Sequence, residues 1–207
     1  MIPGIFEIQD GLIVNNQADN IDPRWSYRVW SNQSDAVVNI PKVASNTLGI
    51  TLVSNDWAET NTHSCGDKNF HVVLRDPVER WQGCMAEHLS HRIEHGATLA
   101  DVEKFIKSFR WMDTCYTDMH LYSQSAYCSG VSVYDTTFYF LEHGLSQLFK
   151  NIDVPYTGTV INHRTENKNN RAEINDIILS IYDSDVNDYV TALYKDDYNM
   201  MEIISAI

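Results

Sequence analysis

Residues 36–52 read AVVNIPKVASNTLGITL, and the pattern of this stretch decides the fold class. Val37, Val38 and Ile40 form a short apolar run that predicts a buried strand. Ser45, Asn46 and Thr47 are helix-capping residue types, and Leu48, Ile50 and Leu52 predict the body of the helix that follows. Pro41 and Lys42 fall between the two, so the stretch is a strand, a tight turn and a helix start. A helix N-terminus carries unpaired N–H groups and a partial positive charge, which together seat an anion. Lys42 adds a full charge there, and the hydroxyls of Ser45 and Thr47 add donors. The stretch therefore predicts an anion cradle. It is not a GxxxxGK[ST] loop, because Lys42 opens the turn and no glycine of the stretch precedes Gly49.

Toward the N-terminus, short apolar pieces (Ile5, Phe6, Ile8; Leu12, Ile13, Val14) alternate with polar residues and lead to an aromatic patch at Trp25, Tyr27 and Trp30. A short strand or hairpin followed by an irregular segment is expected, its aromatics either packing or lining an acceptor site. Toward the C-terminus, residues 55–69 are polar and carry Glu59, His63 and Cys65. FHVVL at 70–74 predicts a second strand ending at Arg75-Asp76-Pro77, the kind of strand end where open α/β sheets bind ligands. Pro77 suits the first turn of a helix that runs to about His95, before Gly96 ends it. On that helix Val78, Trp81, Met85, His88 or Leu89 and Arg92 share one face, leaving Glu79, Arg80, Glu87 and His91 for water. Thr98 and Asp101 open a core helix to Phe109 with a capping-box-like start.

Residues 111–128 predict a loop with a short helix, carrying Asp118, His120 and Gln124. TFYFL at 137–141 and residues 156–161 predict strands, and 144–150 a short helix. NHRTENKNNR at 162–171 is a loop rich in donors, and 172–182 and 186–194 are amphipathic helices with an acidic outer face. The alternation of strands and helices predicts an α/β chain with a central, mainly parallel sheet and helices on both faces.

The chain of 207 residues suits one domain, spanning 1–207. Its formal charge of −13 repels a polyphosphate, which argues against nucleic acid as a partner. Eight of the acidic residues follow Ala172, where Lys195 is the only cation. Positive charge gathers locally at Lys42, at Arg75 and Arg80, and at His163, Arg164, Lys168 and Arg171, a distribution suited to one small anion. Neither a membrane span nor a signal peptide is expected, which points to a cytoplasmic protein. Cys65, Cys84, Cys115 and Cys128 lack CxxC spacing and are expected as free buried thiols, with Cys115–Cys128 the one pairing worth testing.

Taken in order, two motifs resemble the signature pair of sulfotransferases that use 3′-phosphoadenosine 5′-phosphosulfate (PAPS), especially the carbohydrate branch acting on heparan- and chondroitin-type chains. Residues 41–48, PKVASNTL, resemble that family's 5′-phosphosulfate loop, and 74–81, LRDPVERW, its 3′-phosphate motif. A weaker likeness continues through Asp118, His120, Gln124, Tyr134-Asp135, Glu142 and Asn162-His163 to residues 194–198. The resemblance implies a P-loop-like three-layer fold. It also implies that Lys42 contacts the phosphosulfate and its bridging oxygen, with Val43, Ala44, Ser45, Asn46, Thr47 and Leu48 completing the loop. Arg75 would bind the 3′-phosphate, and Asn162, His163 and Arg164 would fold over the nucleotide. Where the family usually has a serine, eight residues after the arginine, this chain has Gly83. The general base of the family, a Glu or a His, lies between the two motifs, where this chain offers His63 and Glu59; His120 is a third candidate.

The implied reaction moves a sulfuryl group from PAPS to a hydroxyl or amine of a glycan or small molecule, releases 3′-phosphoadenosine 5′-phosphate (PAP), and requires no metal. A P-loop-like nucleotide or phosphate kinase, with Asp76 as the nearest metal ligand, and a catalytically silent nucleotide-binding module are the alternatives.

Overall fold

The computed structural model describes residues 6–21, 28–115, 118–158 and 170–207. Strands β1 (Phe6–Gln9) and β2 (Leu12–Asn15) form an antiparallel hairpin. Asp10 and Gly11 turn it with φ of 50° and 81°, the backbone that an Asp-Gly pair favours in a two-residue hairpin turn. Gly11 is also sterically fixed, since a Cβ there would come within 2.7 Å of the Tyr134 ring.

The main sheet has five strands in the order β5 (Ala58–Asn61), β3 (Arg28–Ser31), β4 (Asp35–Val38), β6 (Asn69–Leu74) and β7 (Thr136–Phe140). It is mixed rather than mainly parallel. β4, β6 and β7 run parallel, while β3 is antiparallel to both β4 and β5. The physical reason is local: β3 and β4 are joined by the short 32–34 connection, which permits only an antiparallel pair, whereas β4, β6 and β7 are separated by crossovers. Val37, Val38, Val72, Val73 and Leu74 are buried, as expected of strands covered on both faces.

Nine α-helices lie among the described residues: α1 (Ser45–Val53), α2 (Pro77–Glu94), α3 (Leu99–Lys107), α4 (Trp111–Thr114), α5 (Gln124–Tyr127), α6 (Leu141–Asn151), α7 (Arg171–Ser180), α8 (Ser184–Leu193) and α9 (Lys195–Ala206). α2 begins as read: Asp76 accepts from the Glu79 N–H and Pro77 occupies its first turn. α3 closes a full capping box between Thr98 and Asp101. One apolar core lies around the sheet, with Leu48 and Leu52 of α1 and Leu148 of α6 packed against it. A second lies among α2, α3, α7 and α8, where Trp81 and Trp111 meet at 5.1 Å between ring centroids.

Other differences from the sequence reading concern polar residues and the C-terminus. Arg80 and Glu87, expected to face water, are buried. α9 continues the chain helically past residue 194, beyond the helices read from the pattern. Residues 156–158 are not a strand, and 159–161 lie outside the described residues. All four cysteines are buried free thiols, Cys115 and Cys128 included. No described helix is long and apolar enough to cross a membrane.

Candidate functional site

The chain leaves β4 buried at Ile40 and turns sharply into α1. Two residues of the turn hold left-handed backbone, Lys42 at φ 63° and Ala44 at φ 51°. Each costs about 1–2 kcal/mol in an L-residue, and strain of this kind collects at functional loops. Ala44, and not Ser45, Asn46 or Thr47, is the N-cap of α1, and it supplies no side-chain cap. Three expected capping residues thus stand inside the first turn. Ser45 and Asn46 reach the surface, while Val43, Thr47 and Leu48 are buried. An uncapped first turn beside a lysine suits an anion.

The second motif meets the first. Arg75 follows β6, and Gln124 grips its backbone from both sides: the Arg75 N–H donates to Gln124 Oε1 at 2.9 Å, and Gln124 Nε2 donates to the Arg75 carbonyl at 2.8 Å. So oriented, Arg75 Nη1 lies 3.4 Å from the Lys42 carbonyl and Nε 3.3 Å from Glu79. Gly83 faces the same point, since a Cβ there would stand 3.5 Å from Arg75 Nη1 and 3.9 Å from Lys42 Cβ. Arg75, Gln82, Gly83 and Leu179 help line a cleft of about 280 Å³. Lys42 Nζ pairs with Glu87 of α2 at 2.8 Å.

Beneath these groups lies a buried scaffold that the sequence reading missed. Arg80, 0% exposed, donates to three carbonyls: Pro41 at 3.0 Å, Tyr122 at 2.7 Å and His120 at 3.1 Å. It ties the cradle to the 118–122 segment. Asp197 of α9, also 0% exposed, accepts from the N–H groups of Gln124 and Ser125, each at 2.9 Å. Burial pushes the Asp197 carboxyl up, while Arg80 and those two N–H groups pull it back. The signal for Arg80 was present: positions 77, 80, 81 and 84 form one stripe at helical spacing, and the arginine lies in it.

The three base candidates separate. Glu59 stands on β5 opposite Trp30 of β3 and takes a two-point ion pair from Arg28, whose Nε lies 2.6 Å from Oε1. Arg28 lines a cleft that Ser45 and Asn46 also line, so Glu59 is one residue removed from the cradle. His120 turns its Nδ1 to Asp118 at 2.9 Å, below α2. His63 follows β5 on the backbone of a 3-10 turn at Thr62–Ser64, and its side chain lies outside the described residues, as do Asn162, His163 and Arg164.

Asp118 also accepts from the His120 N–H at 3.0 Å and faces His88 Nδ1 at 3.1 Å. Burial pushes its carboxyl up, but the hydrogen bonds of His120 and His88 outweigh that and hold it well below the usual carboxylate range. A carboxylate depressed in the folded state stabilises above its unfolded value, about pH 3.9, and loses that contribution as pH falls toward the folded value. Asp118→Asn is therefore expected to lower unfolding free energy by about 1–3 kcal/mol at pH 7. In urea titrations at pH 7 and pH 3, the gap from the wild type should narrow at the lower pH. A gap unchanged between the two would show that Asp118 is not the group lost on acidification.

Comparison with known protein families, characterised proteins and solved structures finds no match. The geometry therefore stands by itself.

Proposed function

We propose that the chain is a PAPS-dependent sulfotransferase with a P-loop-like fold, transferring a sulfuryl group to a hydroxyl by in-line displacement. The observation that supports this reading is the meeting of the two motifs: the Arg75 guanidinium stands 3.4 Å from the Lys42 carbonyl, with Gly83 facing both. Sulfuryl transfer spreads charge over equatorial oxygens and needs an aligned nucleophile, so cations and positioning carry most of the effect. Lys42 and the open first turn of α1 would hold the phosphosulfate. Arg75, at the cleft it shares with Gly83, would hold the 3′-phosphate. Among the described candidates Glu59, whose partner Arg28 lines the cleft that Ser45 and Asn46 also line, would take the acceptor proton. The kinase reading has less support, because Asp76 is engaged as the cap of α2.

The test is calorimetric titration with PAP and with ATP, in EDTA. Micromolar binding of PAP with ATP clearly weaker is expected; an ATP preference that requires Mg²⁺ would overturn the reading in favour of the kinase. PAP binding without product from any hydroxyl acceptor would favour the silent module.

Gly83 offers a gain-of-function test. Its surroundings leave ordinary contact distance for a Cβ, so the Cβ of Gly83→Ser is accommodated without moving Arg75 or Lys42. The variant should gain up to about 0.5 kcal/mol of stability from helix propensity. It should also bind PAP roughly tenfold more tightly, because a hydrogen bond to a charged phosphate contributes about 1.5–3 kcal/mol. Unchanged or weaker PAP affinity in a stably folded variant would place the 3′-phosphate elsewhere.

A further inference from the structure

Helix α2 turns a carboxylate toward each of the two cations that the motifs supply. Glu79, Gly83 and Glu87 follow one another at intervals of four residues and so share one stripe of the helix. Glu79 Oε2 lies 3.3 Å from Arg75 Nε, Glu87 Oε2 lies 2.8 Å from Lys42 Nζ, and Gly83 between them faces both cations. Each cation that would hold a phosphate thus has a side-chain anion of α2 against it.

The two pairs differ in depth. The Glu79 side chain is 53% exposed, and water can take its place beside Arg75. The Glu87 side chain is only 8% exposed, whereas that of Lys42, at 23%, reaches the surface. The lysine can therefore swing toward an anion in the cradle on its flexible four-carbon stem, while the carboxylate stays buried on α2. Its other oxygen keeps His91 Nε2 at 3.6 Å, one helical turn on. A buried carboxylate whose cation is withdrawn is costly, so whatever takes Lys42 works against Glu87. Stability alone does not call for such a pair, since apolar residues of similar volume serve as well.

We propose that Glu87 is a positioning residue that stands in for the donor phosphate: it holds Lys42 between turnovers, yields it when the nucleotide arrives, and competes for it again so that PAP leaves. The proposal rests on the sulfotransferase reading and adds to it a built-in limit on how tightly the product is held.

The experiment measures PAP affinity by calorimetry and PAP dissociation by stopped flow for the wild type, Glu87→Gln and Glu94→Gln. Both substitutions remove one negative charge from α2, but Glu94 stands exposed at the C-terminal end of the helix. Glu87→Gln is expected to bind PAP at least about tenfold more tightly and to release it correspondingly more slowly, because the amide strands no charge when Lys42 moves. Glu94→Gln should stay within about twofold of the wild type. A purely structural Glu87 would give the opposite sign, since loosening the site weakens binding. Equal tightening in both variants would be the general effect of a less negative protein and would overturn the competition. Unchanged or weaker PAP binding in a folded Glu87→Gln protein would overturn it too. Should Glu87→Gln fail to fold, the crystal structure of the wild type with PAP decides: Lys42 Nζ is expected to have left Glu87 for the 5′-phosphate, and a lysine still paired with Glu87 would overturn the proposal. Absence of PAP binding in all three proteins would overturn the donor reading itself, and the stand-in role with it.

Discussion

Lys42→Ala is expected to abolish sulfuryl transfer, lowering kcat by roughly a thousandfold or more, the scale at which one preorganised donor to a developing charge acts. Lys42 holds the only full positive charge on the turn between β4 and α1. Neither Ser45 nor Asn46 can replace it, because neither carries charge. A second substitution separates chemistry from folding. Lys42 has φ 63°, so Lys42→Gly relieves about 1 kcal/mol of backbone strain, although loss of the pair leaves the buried Glu87 without its cation and costs about 3–5 kcal/mol in both variants. Glu87 keeps His91 Nε2 at 3.6 Å. Lys42→Gly should therefore melt above Lys42→Ala, which keeps the left-handed strain, and be as inactive. Turnover retained in either variant, measured with PAPS and a glycan or small-molecule hydroxyl acceptor, would remove Lys42 from the mechanism.

Arg80→Ala should produce the largest loss of stability, about 3–5 kcal/mol by urea denaturation. The guanidinium is fully buried, and its removal strands the carbonyls of Pro41, His120 and Tyr122 and withdraws the cation nearest Asp197. Arg80→Lys should recover part of the loss, since one ammonium cannot satisfy three carbonyls in the planar arrangement of a guanidinium. Asp197→Asn should cost about 1–3 kcal/mol, because the amide offers one acceptor oxygen to two N–H donors. If Arg80→Ala cost less than about 1 kcal/mol, water would be serving those carbonyls and the scaffold would be softer than the geometry implies.

The elements that border the cradle were legible because their signals are local. FHVVL, the Asp76-Pro77 start of α2, the Thr98–Asp101 box and the positive turn at Lys42 each depend on a few neighbouring residues. The two antiparallel strands at one side of the sheet were harder. β5 reads AETN, four residues with no apolar alternation, and its pairing with β3 depends on contacts 31 residues apart such as Arg28 to Glu59. Missing those two strands made the sheet look parallel. The site divided along the same line. Lys42 and Arg75 announce themselves by motif, and their meeting is a tertiary fact. Arg80, Gln124 and Asp197 act through carbonyls and N–H groups brought from distant segments, which no spacing along the chain reveals. Polarity alone suggested water for Arg80, although its place on the helix put it in the apolar stripe.

The grip of Asp197 on Gln124 and Ser125 sets an order of events during synthesis. Its two hydrogen bonds span 73 and 72 residues, and Gln124 in turn fixes Arg75 across 49. A ribosome that has released the chain only through β7 has exposed both motifs and Gln124, but not Asp197, the group that fixes Gln124 in place. Long-range closure of this kind comes late in folding. The unfinished chain thus lacks the support that sets Arg75 beside Lys42, and that arrangement is completed only when α9 docks.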